Sequence, residues 1–313
     1  MPNYQGVWSL STQFQNAGNW PSPPTIPIAF FSTSSISANV GYESVSFTTL
    51  GNATREGDLS IQQARAGCGS STRGIFTAGR GDGSVNSNVI EYFEVATTGN
   101  ASDFGDLSVV HTMATGLSSS TRGVFGGGLN SSNSDVNVID YVTIASTGNA
   151  TDFGNLTVSY KPGGSGASPT RGVFMGGGIG ASTKSNVISY ITIATTGNAT
   201  DFGDMVTSPK MGAGASNSTR AIHAGGDNNV IQYITIATTG NSTDFGDLLA
   251  SNEGQGGAAS TTRMLIAGGQ SNAQRIEYIE IDTLGNSADF GDLVSASSNY
   301  PAGGYSTVHG GLS

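Results

Sequence analysis

The chain has few of the residues on which several common classes of protein depend. Its 313 residues include one cysteine, Cys68, so no internal disulfide can form, and we expect this residue to be a small buried side chain. Only 11% of the residues are charged, only three are lysines, and the formal net charge is −10. Because phosphate binding depends on clusters of Lys and Arg, this composition argues against a nucleic-acid partner.

Long apolar runs are also missing. No stretch of 18 apolar residues occurs, and the first 20 residues do not combine a basic start with an apolar run. A membrane-spanning helix needs the first pattern and a secretory signal needs the second. The sequence therefore predicts neither membrane insertion nor a standard secretory signal.

Glycine is abundant, with 47 residues, and Ser, Thr and Asn are frequent. These residues are typical of turns and short strands and are poor helix formers. Hydrophobic residues make up 36% of the chain, which suits a core divided into many thin contacts between sheets. We expect an all-β protein with almost no helix.

Two short markers recur in step along the chain. The first is Gly-Asn followed by a Phe-Gly-Asp-like segment such as 103-DFGDL-107, and it begins at Gly51, Gly99, Gly148, Gly197, Gly240 and Gly285. The second is Thr-Arg followed by an apolar strand and glycines, as in 121-TRGVFGGG-128, and it begins at Thr72, Thr121, Thr170, Thr219 and Thr262. Successive Thr-Arg markers are 43 to 49 residues apart, which is the length of a propeller blade.

Residues 160 to 208 contain the predicted strands of one such unit. The glycine-rich 163-GGSGAS-168 predicts an inner strand, because only small side chains fit where blades crowd the axis. A second strand follows in 171-RGVFMGGG-178, a longer alternating third strand in 186-NVISYITIAT-195, and a short fourth strand in 200-TDFGDMV-206. One unit thus predicts a blade of four antiparallel strands.

The spacing of the markers predicts how the ring closes. The Gly-Asn glycine precedes the next Thr-Arg threonine by 22 residues in four units and by 21 in the first, and Gly285 plus 22 falls on Thr307. The segment 299-NYPAGGYST-307 therefore predicts an inner strand whose own blade does not follow it. The matching second, third and fourth strands lie near the start, in 25-TIPIAFFST-33, 41-GYESVSFTTL-50 and 55-REGDLS-60. We predict six blades in residues 25–313, with the C-terminal strand completing the first blade.

This pattern resembles the kelch family of β-propellers. The shared features are a small-residue inner strand, a second strand that ends in Gly-Gly, and a fourth strand with a large aromatic residue. The outer-strand Trp typical of that family is replaced here by phenylalanines that we expect to fill the gaps between adjacent blades: Phe104, Phe153, Phe202, Phe245 and Phe290. The first blade has 54-TREGDL-59 instead, which leaves its outer packing in question. The resemblance implies a six-bladed kelch-like propeller.

The two faces of such a ring differ in this sequence. One face carries the Thr-Arg and Gly-Asn turns, which repeat almost unchanged; we call it the uniform face. The other carries the loops that follow second and fourth strands and vary between blades, as 128-GLNSSNSDVN-137 and 225-GGDNN-229 do; we call it the variable face. Loops that vary on a constant scaffold are typical of recognition surfaces. The candidate binding residues are Asp82, Asn130, Asn133, Asp135, Lys184, Asp227, Asn228, Gln270 and Asn272.

The repeated polar residues of the uniform face are expected to be structural. The arginines Arg73, Arg122, Arg171, Arg220 and Arg263 lie within reach of the DFGD segments, so we expect a ring of Arg-carboxylate pairs. We interpret the aspartates of these segments as turn formers, with Asp103, Asp106, Asp201, Asp204, Asp244 and Asp247 as examples. The Asn of the Gly-Asn turn is explained by its tolerance of left-handed backbone.

No residues are arranged for catalysis. The histidines His111, His223 and His309 fall in or next to different predicted strands and lack metal-ligand spacing, and no carboxylates are marked as an acid and base pair. We therefore predict a protein that is not an enzyme, with no catalytic residues, no metal and no cofactor.

Residues 1–24 precede the blades and form an arm rich in aromatic residues. Trp8, Phe14 and Trp20 are candidate docking residues, and the arm either packs on its own ring or docks another chain. The arm's 6-GVWSLSTQFQ-15 and repeats such as 137-NVIDYVTIASTGNATDFGNL-156 resemble structural proteins of tailed viruses that infect marine cyanobacteria and related bacteria.

That resemblance implies a virion protein, a tail-fibre or appendage component that contributes to host-surface attachment through its variable loops. Its partners would be other virion proteins, bound through the arm, and a glycan or protein of the host surface. Two alternatives stay open: a secreted or surface lectin-like propeller that binds carbohydrate, and a propeller enzyme, such as a glycan-active one, with carboxylates clustered in a pocket.

Overall fold

The computed structural model describes residues 27–33, 40–60, 66–77, 79, 86–295 and 303–312. The described residues form six four-stranded antiparallel sheets and contain no α-helix. They therefore include no helix that is long and apolar enough to cross a membrane. The arm, with Trp8, Phe14 and Trp20, lies outside these residues, and so does Asp82. The all-β prediction is confirmed.

Each blade contributes an inner strand next to the axis and a second strand beside it. The inner strands are β4 (Ala66–Gly69), β8 (Thr115–Ser118), β12 (Lys161–Ala167), β16 (Ala213–Ser216), β20 (Gly256–Ala259) and β24 (Gly304–Ser306). The second strands are β1 (Ile28–Thr33), β5 (Arg73–Thr77), β9 (Arg122–Gly126), β13 (Arg171–Ile179), β17 (Arg220–Ala224) and β21 (Arg263–Ala267).

Two further strands complete each blade towards the outside. The third strands are β2 (Gly41–Ser46), β6 (Val89–Glu94), β10 (Val138–Thr143), β14 (Thr183–Thr192), β18 (Asn228–Thr235) and β22 (Arg275–Glu280). The fourth strands are β3 (Thr54–Asp58), β7 (Ser102–Asp106), β11 (Thr151–Asn155), β15 (Thr200–Asp204), β19 (Thr243–Asn252) and β23 (Ala288–Asp292). The DFGD aspartates lie in or at the end of these fourth strands, so their interpretation as turn formers is wrong.

The first blade is built from both ends of the chain, as the marker spacing predicts. Its strand order is β24-β1-β2-β3, and β24 pairs antiparallel with β1 so that Ser306 lies opposite Ala29 and Gly304 opposite Phe31. The other blades run β4 to β7, β8 to β11, β12 to β15, β16 to β19 and β20 to β23. The six-bladed propeller with C-terminal closure is therefore confirmed.

Glycine is required where the inner strands meet around the axis. A Cβ on Gly257 would lie 2.5 Å from the carbonyl oxygen of Gly214 in the preceding blade, and one on Gly67 would lie 2.8 Å from that of Gly304. Contacts this short exclude any side chain larger than hydrogen. The six inner edges therefore leave only a narrow axial cavity.

The hydrophobic core consists of six clusters, each shared by two adjacent blades. The fourth-strand phenylalanines are buried in these clusters, which confirms their predicted role as fillers of the gaps. Each packs edge-on against a third-strand tyrosine of its own blade, with ring centroids 5.8 to 6.0 Å apart, in the pairs Tyr92–Phe104, Tyr141–Phe153, Tyr190–Phe202, Tyr233–Phe245 and Tyr278–Phe290.

The gap between the first and second blades is packed differently. In the first blade, Ser44 and Glu56 stand where the other blades have the Tyr-Phe pair, and the Ser44 hydroxyl donates to the Glu56 carboxylate at 2.6 Å. Tyr42 stacks on Phe93 of the second blade with ring centroids 4.0 Å apart, and its hydroxyl donates to the carbonyl oxygen of Gly99 at 2.6 Å. The third strand thus supplies the packing that the fourth strand of this blade lacks.

The outer edges of the blades carry charges and bulges. Opposite Ile139 and Asp140 the register of β11 shifts by one residue, and Gly154 there has φ +145°, which only glycine adopts readily. Exposed aspartates follow the same edges, at Asp103, Asp152, Asp201, Asp244 and Asp289. Bulges and exposed charges both prevent a free edge from pairing with another chain.

Candidate functional site

The arginines of the uniform face hold adjacent blades together. In each of five blades the arginine that begins the second strand lies over the ring of a third-strand tyrosine, 4.3 to 4.7 Å from its centroid. Its Nη1 donates to a main-chain carbonyl of the next blade at 2.7 to 2.9 Å, in the pairs Arg73–Ile144, Arg122–Ile193, Arg171–Ile236, Arg220–Ile281 and Arg263–Phe47.

The prediction that these arginines pair with the DFGD aspartates is therefore wrong, because their shared partners are main-chain carbonyl oxygens. Among the described residues, only Arg73 and Arg263 of these five pair with a carboxylate, and the partners are Glu94 and Glu280 at the ends of third strands. The DFGD aspartates lie on the outer edge, where the arginines do not reach. The arginines are structural, through carbonyl oxygens and tyrosine rings.

The Asn of each Gly-Asn turn makes a second contact between blades. Its Oδ1 accepts a hydrogen bond from a fourth-strand main-chain N–H of the preceding blade at 3.0 to 3.1 Å, in the pairs Asn52–Asp292, Asn100–Asp58, Asn149–Asp106, Asn198–Asn155, Asn241–Asp204 and Asn286–Asp247. None of these asparagines has a positive φ, so backbone tolerance does not explain them. The repeated Asn is required as an acceptor.

A third ring of contacts is buried near the variable face. Each third strand carries a buried polar residue at the equivalent position, namely Glu43, Glu91, Asp140, Ser189, Gln232 and Glu277. Five of them bond to residues that follow the fourth strand of the preceding blade: for example, Glu91 accepts the main-chain N–H of Ser60 at 3.1 Å, and Asp140 accepts that of Ser108 at 2.8 Å. Glu277 accepts the N–H of Leu249 within β19 at 3.0 Å. These bonds fix the start of each loop that leads to the next inner strand.

The loops of the variable face differ in length and in chemistry. Between second and third strands lie residues 127–137 in the third blade, 180–182 in the fourth and 225–227 in the fifth. Asn130 organises the longest of these, because its Oδ1 accepts the main-chain N–H groups of Ser132 and Ser134 at 2.9 and 3.0 Å. Asn228 similarly accepts the N–H of Val230 at 2.9 Å. Two of the candidate binding residues thus use their amides within their own loops.

Three other candidates form ion pairs across blade boundaries. Asp135 of the third blade pairs with Lys161 of the fourth at 2.7 Å, and Lys184 of the fourth pairs with Asp227 of the fifth at 2.5 Å. Both pairs are partly shielded from solvent, so they fasten the loops more firmly than an exposed pair would.

The remaining candidates lie apart from these pairs. Gln270 is exposed in the sixth blade, and its main-chain N–H donates to the carbonyl oxygen of Glu253 at 2.9 Å. Asn272 is partly exposed, and its carbonyl oxygen accepts the N–H of Arg275 at 3.2 Å. Asn133 lies next to Asn86 of the second blade, whose Nδ2 is 3.3 Å from its Oδ1. The candidates are therefore spread around the face and do not converge on one point.

A groove lies beside the axis on the variable face. Its apolar lining comes from Met113, Leu129 and Met211, and its charged lining includes Lys210 and Glu253, whose Nζ and Oε2 are 3.8 Å apart. That distance is too long for a hydrogen bond, so the Lys210 ammonium is held less tightly than the other two lysines. All three lysines of the chain lie on this face.

Sequence reasoning missed most residues of this groove. Met113, Lys210, Met211 and Glu253 lie in loops between a fourth strand and the next inner strand, whereas the candidate binding residues all follow second strands. The unequal lengths of these loops, such as 107–114 in one blade and 253–255 in another, were the available signal.

Three of the four described residues other than glycine that have a positive φ lie on the same face. Met113, Asn133 and Asp227 have φ values of 59°, 58° and 75°, a backbone region that residues other than glycine rarely adopt. Two of the three line the groove, and the third belongs to an ion pair. Such strain persists only where the surrounding structure enforces it, and it is common at binding sites.

The three histidines lie in different surroundings. Nε2 of His111 is 3.1 Å from the Asp140 carboxylate and its Nδ1 is 2.9 Å from the carbonyl oxygen of Gly127, so this ring belongs to the buried polar ring. Burial lowers the pKa of His223 and of His309 to about 4. Within the described ranges, no three His, Cys, Asp or Glu side chains are grouped to hold a metal ion. Cys68 is buried, as expected, and burial raises the pKa of its thiol.

The chain matches no protein-family model, and no curated protein is significantly similar to it.

Proposed function

We propose that this chain is a non-enzymatic binding protein that presents the variable face of a rigid ring to a macromolecular partner. The observation that carries the proposal is the contrast between the two faces. The uniform face repeats the Asn bond in all six blades and the Arg bond in five, whereas the variable face has loops of unequal length and an apolar groove. Such a scaffold lets loops change without loss of the fold.

The positions of the carboxylates support a role in binding rather than catalysis. On the variable face, Asp135, Asp227 and Glu253 each lie next to a lysine. The buried Glu43, Glu91, Asp140 and Glu277 hold the ends of neighbouring fourth strands, and the exposed aspartates line the outer edges. A glycan-active enzyme would instead hold two carboxylates on either side of a substrate cleft.

The virion setting rests on the resemblance of the arm and repeats to structural proteins of tailed viruses. We propose a tail-fibre or appendage component, located in the virion, with residues 1–24 as a docking arm and residues 25–313 as the propeller. Trp8, Phe14 and Trp20 would contact a neighbouring virion protein, since large aromatic side chains dominate the energetics of interfaces. The variable face would then point outward, towards a glycan or protein of the host surface.

A cryo-EM map of the assembled particle that contains this chain tests the proposal. The expected result is an arm buried in a neighbouring subunit and a variable face that points away from the particle. A variant without residues 1–24 provides a second test, since it should fold as a propeller yet be missing from purified particles.

Two outcomes would overturn the virion role. One is normal incorporation of the truncated variant, and the other is a chain found only as an isolated monomer. If that monomer bound sugars on a glycan array, the lectin-like alternative would replace the virion proposal.

A further inference from the structure

Residues 307–312 cross the axis on the uniform face, directly after β24. The main-chain N–H of Gly310 donates to the carbonyl oxygen of Ser216 in the fifth blade at 3.0 Å. Nε2 of His309 lies 3.1 Å from the carbonyl oxygen of Gly69 in the second blade and 3.1 Å from Oγ of Ser118 in the third. A segment that starts in the first blade is thus tied to three blades on other sides of the ring.

The crossing requires glycine at two successive positions. A Cβ on Gly310 would collide with the carbonyl oxygens of Asn217 and Ala167, and one on Gly311 would collide with that of Ser118. Gly310 and Gly311 therefore rest directly on main-chain atoms at the ends of the inner strands.

The hydrogen bonds of His309 define which ring nitrogen carries the proton. The main-chain N–H of Gly311 donates to Nδ1 at 3.1 Å, so Nδ1 is unprotonated. The carbonyl oxygen of Gly69 can only accept, so the hydrogen is on Nε2. The imidazole is therefore neutral, with Nδ1 as a hydrogen-bond acceptor and Nε2 as a donor.

The segment covers one end of the axial cavity. That end is lined by His309 together with the inner strands, including Cys68, Ser118, Ser216 and Tyr305. The other end opens on the variable face, among glycines of the inner strands and the side chains of Met113, Met211 and Gln255. The cavity thus opens on the variable face, and residues 307–312 cover its end on the uniform face, where His309 lines it.

We propose that residues 307–312 are an acid-released latch, in which a proton on Nδ1 of His309 frees the segment and opens the axial cavity at the uniform face while the blades stay folded. A protonated Nδ1 is a donor that faces the N–H donor of Gly311, so their hydrogen bond is lost. The same proton puts a positive charge on a partly buried ring, where the charged form is disfavoured. The latch is independent of the partner that the variable face binds.

The described residues around His309 offer that charge no compensation. The titratable groups that line the same end are the Cys68 thiol on β4 and the Tyr305 hydroxyl on β24, and burial raises the pKa of both, so both are neutral in acid. Among the described residues, no carboxylate lines this end of the cavity. Burial lowers the pKa of His309 from 6.5 to about 4, with the bond to Gly69 acting in the opposite direction.

Hydrogen exchange of the Gly310 and Gly311 amides tests the latch in the full chain. Protection is measured at several pH values from 7 to 4, relative to an unfolded reference at the same pH, so that intrinsic exchange rates cancel. Because the released ring has the higher pKa, protection should fall about tenfold per pH unit between about 6.5 and 4, or roughly 300-fold in total.

His309→Gln distinguishes the effect of protonation from a loss of the fold, because the glutamine amide can donate and accept hydrogen bonds without titrating. We expect nearly constant protection over the same pH range in this variant, whose folding is checked by circular dichroism. His223→Gln is the matched control, since it removes a buried histidine away from residues 307–312, and it should keep the pH dependence.

Three results would overturn the latch. The first is constant protection of Gly310 and Gly311 in the wild-type chain down to pH 4, which needs no variant to interpret. The second is a pH dependence in His309→Gln equal to that of the wild type. The third is a parallel loss of protection in the inner strand β16, because the ring would then open together with the segment.

Discussion

Oδ1 of Asn149 accepts the main-chain N–H of Asp106 in the preceding blade at 3.1 Å, and the same bond recurs at every one of the six blade boundaries. The bond lies on the outside of the ring, far from the small residues that fill the axis. Adjacent blades are therefore joined at their outer edges as well as through their apolar cores.

This bond predicts the effect of Asn149→Ala on stability. The substitution leaves the N–H of Asp106 without its partner, so we expect the free energy of unfolding to fall by about 1 kcal/mol. Urea denaturation followed by circular dichroism measures the change. Asn272→Ala on the variable face is the matched control and should shift stability by less than about 0.5 kcal/mol. Equal effects of the two substitutions would contradict the role of the turn asparagine.

The buried polar ring predicts a larger effect at Asp140. In Asp140→Ala, His111 and the N–H of Ser108 both lose a buried partner, so we expect a loss of about 3 kcal/mol or more. Ser189→Ala is the equivalent change in the next blade and removes a hydroxyl that contacts Thr157 and Tyr160 but no charged group, so it should cost about 1 kcal/mol. Similar losses for both variants in urea denaturation would show that Asp140 does not anchor its neighbours.

Stability should depend on pH through His223. Burial lowers its folded pKa from 6.5 to about 4, so the unfolded chain binds more protons between these values. The stability that this residue contributes is complete above pH 6.5 and is lost as the pH falls towards 4, by about 1.4 kcal/mol per unit.

Urea denaturation at pH 7, 6, 5 and 4 measures this slope. His223→Gln should show a shallower slope, by about the contribution of one group, than the wild-type chain. A variant whose slope equals that of the wild type would contradict the assignment of this pH dependence to His223.

The groove on the variable face predicts where partner binding is lost. Met211→Glu places a carboxylate in the apolar lining, and burying it against a partner would be costly, so adsorption of particles to host cells should slow by tenfold or more. Thr196→Glu is the matched control, because it adds the same charge at an exposed turn of the uniform face. Adsorption that slows equally in both variants would point to net charge and not to the groove.

Sequence reasoning was most successful where a pattern is local to one repeat. The alternating segment 186-NVISYITIAT-195 lies in β14 as far as Thr192, where the strand ends, and the Gly-Gly after Val173, Phe174 and Met175 occurs in β13 as predicted. The spacing from Gly285 to Thr307 correctly predicted the inner strand β24, which pairs with β1 at the other end of the sequence. These features depend on pleat, turn chemistry and repeat length, which act over short distances along the chain.

The sequence was least informative for bonds between repeats. The prediction pairs Arg171 with aspartates because their charge is opposite to its own. Its guanidinium instead donates to the carbonyl oxygen of Ile236, and every residue has such an oxygen. The Asn of the turns was explained by its own backbone, whereas its acceptor role needs the N–H of another blade. Among the candidate binding residues, Asn130 and Asn228 proved to be occupied within their loops.

The sequence by itself determined the number of blades, their four strands and the closure by β24, because each follows from a repeat length and a period-two pattern. Only the tertiary structure decided which side chains join neighbouring blades, where the groove beside the axis lies, and that residues 307–312 cover one end of the axial cavity. These features bring together residues about one or several repeats apart in the chain. Their distances are set by the curvature of the ring, which no single repeat encodes.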